Sequence, residues 1–222
     1  MIVKICGITN VGDALHSLQV GADWIGLNLV SGPRRIDLTL ACRIIRGLAD
    51  PGRAVVLLNL DPVLDDATLK PLKEVGVHRL QLYGRLAAST HAVLKTRGFE
   101  IILAEQIGCR ADVESVCARF THPSPHRPDY VLADARVQGM LGGSGLRADW
   151  SALSDARMKG ELANWPTMIL AGGLKASNVA EAIGLVRPAG VDVSSGVEES
   201  PGRKNPNQVA AFVEAVHARE VS

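Results

Sequence analysis

Residues 167–197 read TMILAGGLKASNVAEAIGLVRPAGVDVSSGV, and this stretch contains the unit that repeats along the chain. Two short and mostly apolar runs, Thr167–Ala171 and Val191–Ser194, flank a segment with helical spacing of its apolar residues, Leu174–Val186. Strands that are apolar on both faces are typical of parallel sheets covered by helices. The stretch therefore predicts one strand–helix–strand unit.

The same pattern extends outward to the start of the chain. Six further predicted strands alternate with helical segments: Ile2–Cys6, Trp24–Leu29, Ala54–Leu58, Arg79–Leu82, Glu100–Ala104 and Tyr130–Ala133. Eight such units predict an α/β fold, a single (βα)8 TIM barrel of eight parallel strands that forms one domain over residues 1–222. An open doubly wound sheet is the alternative, but the first strand is followed by Cys6-Gly7-Ile8-Thr9 and not by the usual glycine fingerprint.

Composition narrows the choice of partners. The 222 residues include 24 basic and 23 acidic side chains, which gives a net charge of +1, and aromatic residues make up 4%. A nearly neutral chain with few aromatic residues predicts no nucleic-acid partner. No apolar run approaches the ~20 residues that span a bilayer, and neither a zinc motif nor paired cysteines occur. We therefore expect a cytoplasmic protein with no metal and no membrane partner.

Candidate catalytic residues lie where predicted strands end, because barrels of this kind carry their active sites at the carboxyl ends of the strands. The first strand ends at Cys6, whose thiolate can accept a proton, and the sixth leads to Asp134, whose carboxyl group can donate one. The second strand leads to Arg34, whose planar guanidinium suits a carboxylate. Each residue also has an ordinary structural alternative: Cys6 as a buried apolar side chain, Asp134 as a turn cap and Arg34 as a surface charge.

Two turns after the last predicted strands suit an anion. Gly172-Gly173 follows the seventh strand and Ser194-Ser195-Gly196 follows the eighth, the position of the phosphate site in many barrels. Backbone N–H groups in such turns can converge on one anion beside a helix N-terminus. Glycine is also the ordinary residue of tight turns, so the turns by themselves leave both explanations open.

The whole chain resembles the phosphoribosylanthranilate isomerase family of tryptophan biosynthesis. The matching stretches follow family order from end to end: KICGIT (Lys4–Thr9), GPRRI (Gly32–Ile36), QLYG (Gln81–Gly84), DYVLADA (Asp129–Ala135), GGSG (Gly142–Gly145), LAGGL..SNV..AI (Leu170–Ile183) and GVDVSSGVEESPGRKN (Gly190–Asn205). The resemblance implies a (βα)8 barrel. It also implies an Amadori rearrangement of N-(5-phosphoribosyl)anthranilate to 1-(o-carboxyphenylamino)-1-deoxyribulose 5-phosphate.

The resemblance also implies a role for each site residue. Asp134 is the general acid that protonates the furanose oxygen, Cys6 is the general base that removes the proton from the second sugar carbon, and Arg34 holds the anthranilate carboxylate. The other residues implied to bind the phosphosugar substrate are Gln81, Tyr83, Gly143, Gly145, Gly172, Gly173, Ser194, Ser195 and Gly196. No cofactor is implied, because the iminium of the opened sugar accepts the electron pair. Family members occur as monomers and as homodimers.

Two residues depart from the family pattern in the half of the site that is expected to hold the aryl group. Tyr83 stands where the family usually has histidine, and Asn28 stands where it has phenylalanine. Two alternatives therefore stay open: a related barrel that acts on a different phosphoribosyl amine, and a barrel that binds phosphosugars without catalysis. The presence of both Cys6 and Asp134 argues against the second, since a protein that only binds phosphate has no use for that pair.

Overall fold

The computed structural model describes residues 1–60, 64–121, 124–135 and 149–220. In these residues eight parallel strands form a closed barrel in chain order, and the eighth strand pairs with the first. The strands are β1 (Ile2–Cys6), β2 (Trp24–Asn28), β3 (Ala54–Asn59), β4 (Arg79–Tyr83), β5 (Glu100–Ile107), β6 (Tyr130–Ala135), β7 (Thr167–Leu170) and β8 (Gly190–Val193). The predicted (βα)8 barrel is confirmed.

Helices follow the strands and cover the outside of the barrel. They are α1 (Val11–Gln19), α2 (Leu38–Arg46), α3 (Asp66–Glu74), α4 (Ala88–Thr96), α5 (Arg110–Phe120), α6 (Trp150–Met158), α7 (Val179–Val186) and α8 (Pro206–Glu220). Several begin at a side-chain cap: Asn10, Asp37 and Asp65 each accept a hydrogen bond from the backbone N–H three residues on. Such caps satisfy donors that the first turn of a helix leaves unpaired.

Side chains alternate between two cores, because successive residues of a strand point to opposite faces. In β1, Val3 and Ile5 belong to the large cluster between the barrel and its helices. Cys6 belongs to a smaller cluster inside the barrel, which it shares with residues such as Leu57, Ile102 and Ile169. Lys4 has the same parity as Cys6 and is fully buried. The barrel interior is therefore a packed layer with a charged group within it.

The two ends of the barrel differ. At the end where strands begin, the first residues of β2, β4 and β6 stack: the rings of Trp24 and Tyr130 meet edge to face at 5.4 Å, and the guanidinium of Arg79 lies 4.5 Å from the Trp24 ring. At the opposite end, the chain after β8 forms a short hairpin of β9 (Glu198–Ser200) and β10 (Arg203–Lys204). The aromatic layer therefore fills the end of the barrel where the strands begin, and the hairpin places charged side chains at the end where the strands finish.

In the described part of the chain, the helices are too short or too polar to cross a bilayer. The same residues contain no group of three or more His, Cys, Asp or Glu side chains arranged to hold a metal ion.

Candidate active site

A cleft opens at the carboxyl end of the barrel. It brings together most of the residues that the sequence predicted for the site: Cys6, Arg34, Tyr83, Asp134, Gly172, Gly173, Ser194 and Ser195. Asn28 and Asp192 also line it. Residues from both ends of the chain thus meet in one cleft because the barrel is closed.

The remaining predicted residues divide into two groups. Gln81 is buried below the cleft and contacts it through Tyr83, while Gly196 belongs to the turn that follows β8 and packs against the Leu174 carbonyl oxygen. Gly143 and Gly145 lie outside the described residues, so their part in substrate binding stays a prediction.

Cys6 occupies the end of β1 with its thiol against the next strand. A Cβ atom at Gly26, its register partner in β2, would lie 2.7 Å from the Cys6 sulfur, so only glycine leaves room for the thiol there. Burial raises the pKa of the Cys6 thiol, and the ammonium group of Lys4 acts in the opposite direction. The resting thiol is therefore protonated at neutral pH and becomes a base only when it loses that proton.

Asp134 lies near the end of β6 and is only 9% exposed. Around the barrel, β6 is separated from β1 by β7 and β8. Cys6 and Asp134 therefore approach the cleft from different sides. A ligand between them can be protonated at one atom and deprotonated at another.

Tyr83 adds a neutral hydroxyl group to the cleft. Gln81 Nε2 donates a hydrogen bond to Tyr83 Oη over 2.8 Å, which fixes the ring. Burial raises the pKa of Tyr83 well above its usual range, and the nearby charges of Cys6 and Asp134 add to this effect. The phenol therefore stays protonated and can donate a hydrogen bond to a ligand.

Asn28, the other departure from the family pattern, has a local role. Its side-chain oxygen accepts a hydrogen bond of 2.8 Å from the backbone N–H of Val30. The amide thus shapes the start of the loop that carries Arg34 toward the cleft.

Arg34 is held by a partner that sequence reasoning missed. Its Nε and Nη2 donate to the two carboxylate oxygens of Glu198 at 2.8 and 2.6 Å. Lys204 Nζ donates to the same carboxylate at 2.7 Å and to the carbonyl oxygen of Ser194 at 3.1 Å. Burial opposes the charge on Glu198, but the two cations outweigh it and lower its pKa. This Arg34–Glu198–Lys204 cluster ties the hairpin to the turn after β8.

The two glycine-containing turns are locked against each other. Gly172 and Gly173 both have positive φ values, 88° and 64°, which L side chains rarely adopt. A Cβ atom at Gly196 would lie 1.9 Å from the carbonyl oxygen of Leu174, so the turn after β8 packs its backbone directly on the turn after β7. Asn178 Nδ2 donates to the Gly173 carbonyl oxygen over 3.0 Å and fixes the first turn further.

Fold and cleft together define a (βα)8-barrel enzyme with candidate acid–base residues and candidate anion-binding turns at one rim. Residues 3–215 match the family model described as N-(5'-phosphoribosyl)anthranilate (PRA) isomerase. The chain belongs to the PRA isomerase family, and the resemblance carried by its motifs is confirmed.

Individual relatives agree with this assignment over nearly the whole length. The isomerase of Rhodopseudomonas palustris (strain BisA53) is 37% identical over 231 residues, covering 98% of this chain and 96% of the relative. The isomerase of Acidithiobacillus ferrooxidans is 36% identical over 218 residues, covering 96% of each.

Solved structures give the same result. The crystal structure of the Thermotoga maritima isomerase has a TM-score of 0.81 and 30% identity, covering 98% of this chain and 100% of that one. A PRA isomerase in complex with reduced 1-(o-carboxyphenylamino)-1-deoxyribulose 5-phosphate has a TM-score of 0.79 and 29% identity with the same coverage. Monomers generated from the dimeric Thermotoga maritima enzyme have a TM-score of 0.78 and 28% identity, again with that coverage.

The space at Gly26 yields the first prediction. Gly26→Ala forces the Cys6 thiol away from the cleft, and we expect kcat to fall by roughly 10–100-fold, since a displacement of about 1 Å has effects of that size. Gly190→Ala is the matched control, because its Cβ would meet Ile2 Cβ at 2.8 Å at the opposite end of the barrel. Both substitutions overpack an interior and cost about 1–3 kcal/mol of stability. Equal kcat values for the two variants would show that Gly26 does not set the position of Cys6.

Proposed function

We propose that this chain converts N-(5'-phosphoribosyl)anthranilate to 1-(o-carboxyphenylamino)-1-deoxyribulose 5-phosphate in tryptophan biosynthesis, with Asp134 as general acid and Cys6 as general base. The observation that best supports this proposal is that both residues line one cleft, beside two glycine-containing turns whose backbone N–H groups suit an anion. A barrel that only binds a phosphosugar needs the turns but not the acid–base pair.

The first half of the reaction opens the sugar ring. Asp134 donates its proton to the furanose oxygen, the bond from that oxygen to the first sugar carbon breaks, and the lone pair of the anthranilate nitrogen forms the iminium. The carboxylate of Asp134 and an open-chain hydroxyl group result. Protonating the leaving oxygen avoids a free alkoxide, the contribution expected of a general acid.

The second half moves the proton of the second sugar carbon. The Cys6 thiolate takes this proton, the C–H electron pair forms a double bond to the first carbon, and the iminium nitrogen accepts the displaced pair. The resulting enolamine gains a proton at the first carbon and loses its enol proton, which yields the ketone. Reactant and product have the same atoms and electrons, so the chemistry needs no cofactor.

We assign the two turns to the substrate phosphate. Gly172, Gly173, Ser194, Ser195 and Gly196 present backbone N–H groups at the rim, and such groups bind phosphate without a side-chain charge. The Ser194 hydroxyl oxygen is buried and has no hydrogen-bond partner within the described ranges. A phosphate oxygen at this position would satisfy it.

We assign Arg34 to the carboxylate of the aryl amine. Glu198 binds Nε and Nη2 of the guanidinium, so the group is fixed in orientation before substrate arrives. The neutral Tyr83 hydroxyl, which replaces the usual histidine, also faces the substrate, and Gln81 holds it there through its hydrogen bond. We propose that the enzyme acts in the cytoplasm as a monomer or homodimer.

Replacing the catalytic pair gives the second prediction. Cys6→Ala and Asp134→Asn each lower kcat by about 10²–10⁴-fold, because each removes one proton-transfer group. Binding of the reduced product analogue, measured by calorimetry, stays near wild type in both, because neither change removes a binding contact to the phosphate. A Cys6→Ala enzyme that turns over at the wild-type rate would refute the assignment of the base.

The pH dependence follows from the states of both Cys6 and Asp134. The base is active when deprotonated and the acid when protonated, and burial raises the pKa of the Cys6 thiol above its ordinary value of about 8.5. The kcat/KM of the wild type should therefore be bell-shaped with pH, falling at low pH as the pair gains a proton and at high pH as it loses one. A flat profile between about pH 5 and pH 9, with chemistry shown to be rate-limiting, would contradict the assignment of the pair.

Packing at the last turn gives the third prediction. Gly196→Ala must separate the two turns, since its Cβ would overlap the Leu174 carbonyl oxygen. Inhibition by ribose 5-phosphate should weaken by at least about tenfold, the equivalent of one charged hydrogen bond. If Gly196→Ala does not fold, Ser194→Ala removes only the hydroxyl and should weaken the same inhibition. Unchanged inhibition in a folded variant would place the phosphate elsewhere.

The aryl site gives the fourth prediction. Arg34→Ala should raise KM for PRA by roughly 10–100-fold, because a bidentate charged contact contributes about 1.5–3 kcal/mol. Inhibition by ribose 5-phosphate should hardly change. Thermal unfolding is the control, since Glu198 keeps Lys204 as its partner in this variant. If KM for PRA and the inhibition constant of ribose 5-phosphate rise equally, Arg34 serves the phosphate or the fold. If neither constant changes, a different amine is favoured as the substrate.

A further inference from the structure

A lysine inside the barrel has no part in the chemistry described so far. Lys4 is fully buried in β1, two residues before Cys6, so the two side chains project to the same interior face. Its ammonium nitrogen lies 2.6 Å from Asp192 Oδ1, and Asp192 is its register partner in β8 and also lines the cleft. The ion pair therefore lies directly below the catalytic cleft.

Stability does not account for this pair. Removing a lysine and a carboxylate from water costs several kcal/mol per ion, and apolar residues of similar volume are often as stable or more so. The neighbouring interior residues are apolar, among them Val55 and Ile169. A methionine and a leucine at these two positions would continue that layer without any charge to desolvate.

The position of Lys4 instead indicates a role that acts on Cys6. The two side chains on this face also favour each other's charge, because a Cys6 thiolate raises the pKa of the Lys4 ammonium. An ammonium beside a sulfur atom favours the thiolate, the form that acts as a base. Burial raises the pKa of Cys6, and Lys4 has the largest effect among the groups that oppose this rise.

Charged and titratable groups face Cys6 from several elements. Lys4 lies on the same strand as Cys6, Asp192 on β8 and Lys204 on β10. Arg34, on the loop after β2, and Tyr83, on β4, also interact electrostatically with Cys6. Asp134 lines the same cleft from β6. The charges of Lys204 and Arg34 are both shared with Glu198. Lys4 is bound instead by the Asp192 carboxylate, which holds the ammonium in place.

We propose that Lys4, anchored by Asp192, is a positioning residue that holds its ammonium group against Cys6 and stabilises the thiolate during catalysis. This inference rests on the proposed role of Cys6 as the base. Lys4 itself does not touch the substrate. It lowers the free energy of the deprotonated thiol, while Asp192 prevents the lysine from losing its own proton or turning away.

The test measures the thiol directly and does not depend on turnover. The full-length protein is alkylated with iodoacetamide over a range of pH values, and peptide mass spectrometry follows the peptide that contains Cys6. The matched pair of variants is Lys4→Met and Lys204→Met, since Lys204 is a second buried, ion-paired lysine that acts less strongly on Cys6. For Lys4→Met we expect an apparent pKa at least one unit higher, hence alkylation about tenfold slower or more at pH values well below the wild-type pKa. For Lys204→Met we expect a smaller shift.

A second variant separates the role of Lys4 from that of Asp192. Lys4→Met/Asp192→Asn removes both charges. It therefore also replaces Lys4→Met in the alkylation test if the single variant, which leaves an unpaired carboxylate, fails to fold. We expect its Cys6 to remain less reactive than that of the wild type. Wild-type reactivity in the double variant would mean that Lys4 merely neutralises Asp192, and an unchanged pH profile in folded Lys4→Met would also overturn the proposal.

Kinetics complete the test and keep the two proposals apart. In Lys4→Met, kcat for PRA should fall about as much as the thiolate fraction, at least tenfold, while KM stays near wild type. A wild-type protein that fails to isomerise PRA would refute the proposed function. The alkylation profile would still decide whether Lys4 controls Cys6.

Discussion

The closing of the barrel, where β8 pairs with β1, is the contact on which the rest of the molecule depends. Lys4 and Asp192 are 188 residues apart in sequence, yet they form a buried ion pair across this seam. The same pairing sets Cys6 beside Ser194 at the rim. Without closure, the parallel strands would not present their carboxyl ends to a common space, and the proposed acid–base pair and the proposed phosphate-binding turns could not contact one ligand.

Closure also explains why the site can hold so many charges. Two groups of buried ions support the site: Lys4 with Asp192 directly below the cleft, and Arg34 with Glu198 and Lys204 at the rim. Each ion has a partner of opposite sign, which is the condition under which charges survive burial. The groups expected to act or to bind as neutral species, such as Tyr83, lie among them. One cleft thus holds both the residues that keep a charge and those that we propose exchange a proton.

The sequence was sufficient for the fold because the strands of a helix-covered parallel sheet are short apolar runs. β1 was predicted with its observed bounds, whereas β5 extends to Ile107, three residues past the prediction, because polar residues such as Glu105 and Gln106 continue it at the rim. Most predicted site residues line one cleft, since position at a strand end is readable from the chain. Gly143 and Gly145 lie outside the described residues.

What the sequence could not supply was the partner of each charge. Charged residues are usually at the surface, so nothing in the pattern marked Lys4 or Lys204 as buried. Arg34 and Glu198 are 164 residues apart, and their bond depends on the hairpin after β8. The requirement for glycine at position 26 likewise appears only when β1 and β2 are side by side. The KICGIT and GVDVSSGVEESPGRKN stretches already contain Lys4, Glu198 and Lys204, but a stretch of sequence does not show which residues are in contact.

The central claim is that this cleft converts an aldose to a ketose by moving the proton of the second sugar carbon. It is tested most directly by ¹³C NMR of PRA labelled at that carbon and incubated with the wild-type protein. We predict that the signal of the alcohol carbon disappears at the rate of turnover and that a ketone signal replaces it, with no added cofactor. A label that keeps its alcohol signal in the presence of active, folded protein would contradict the account.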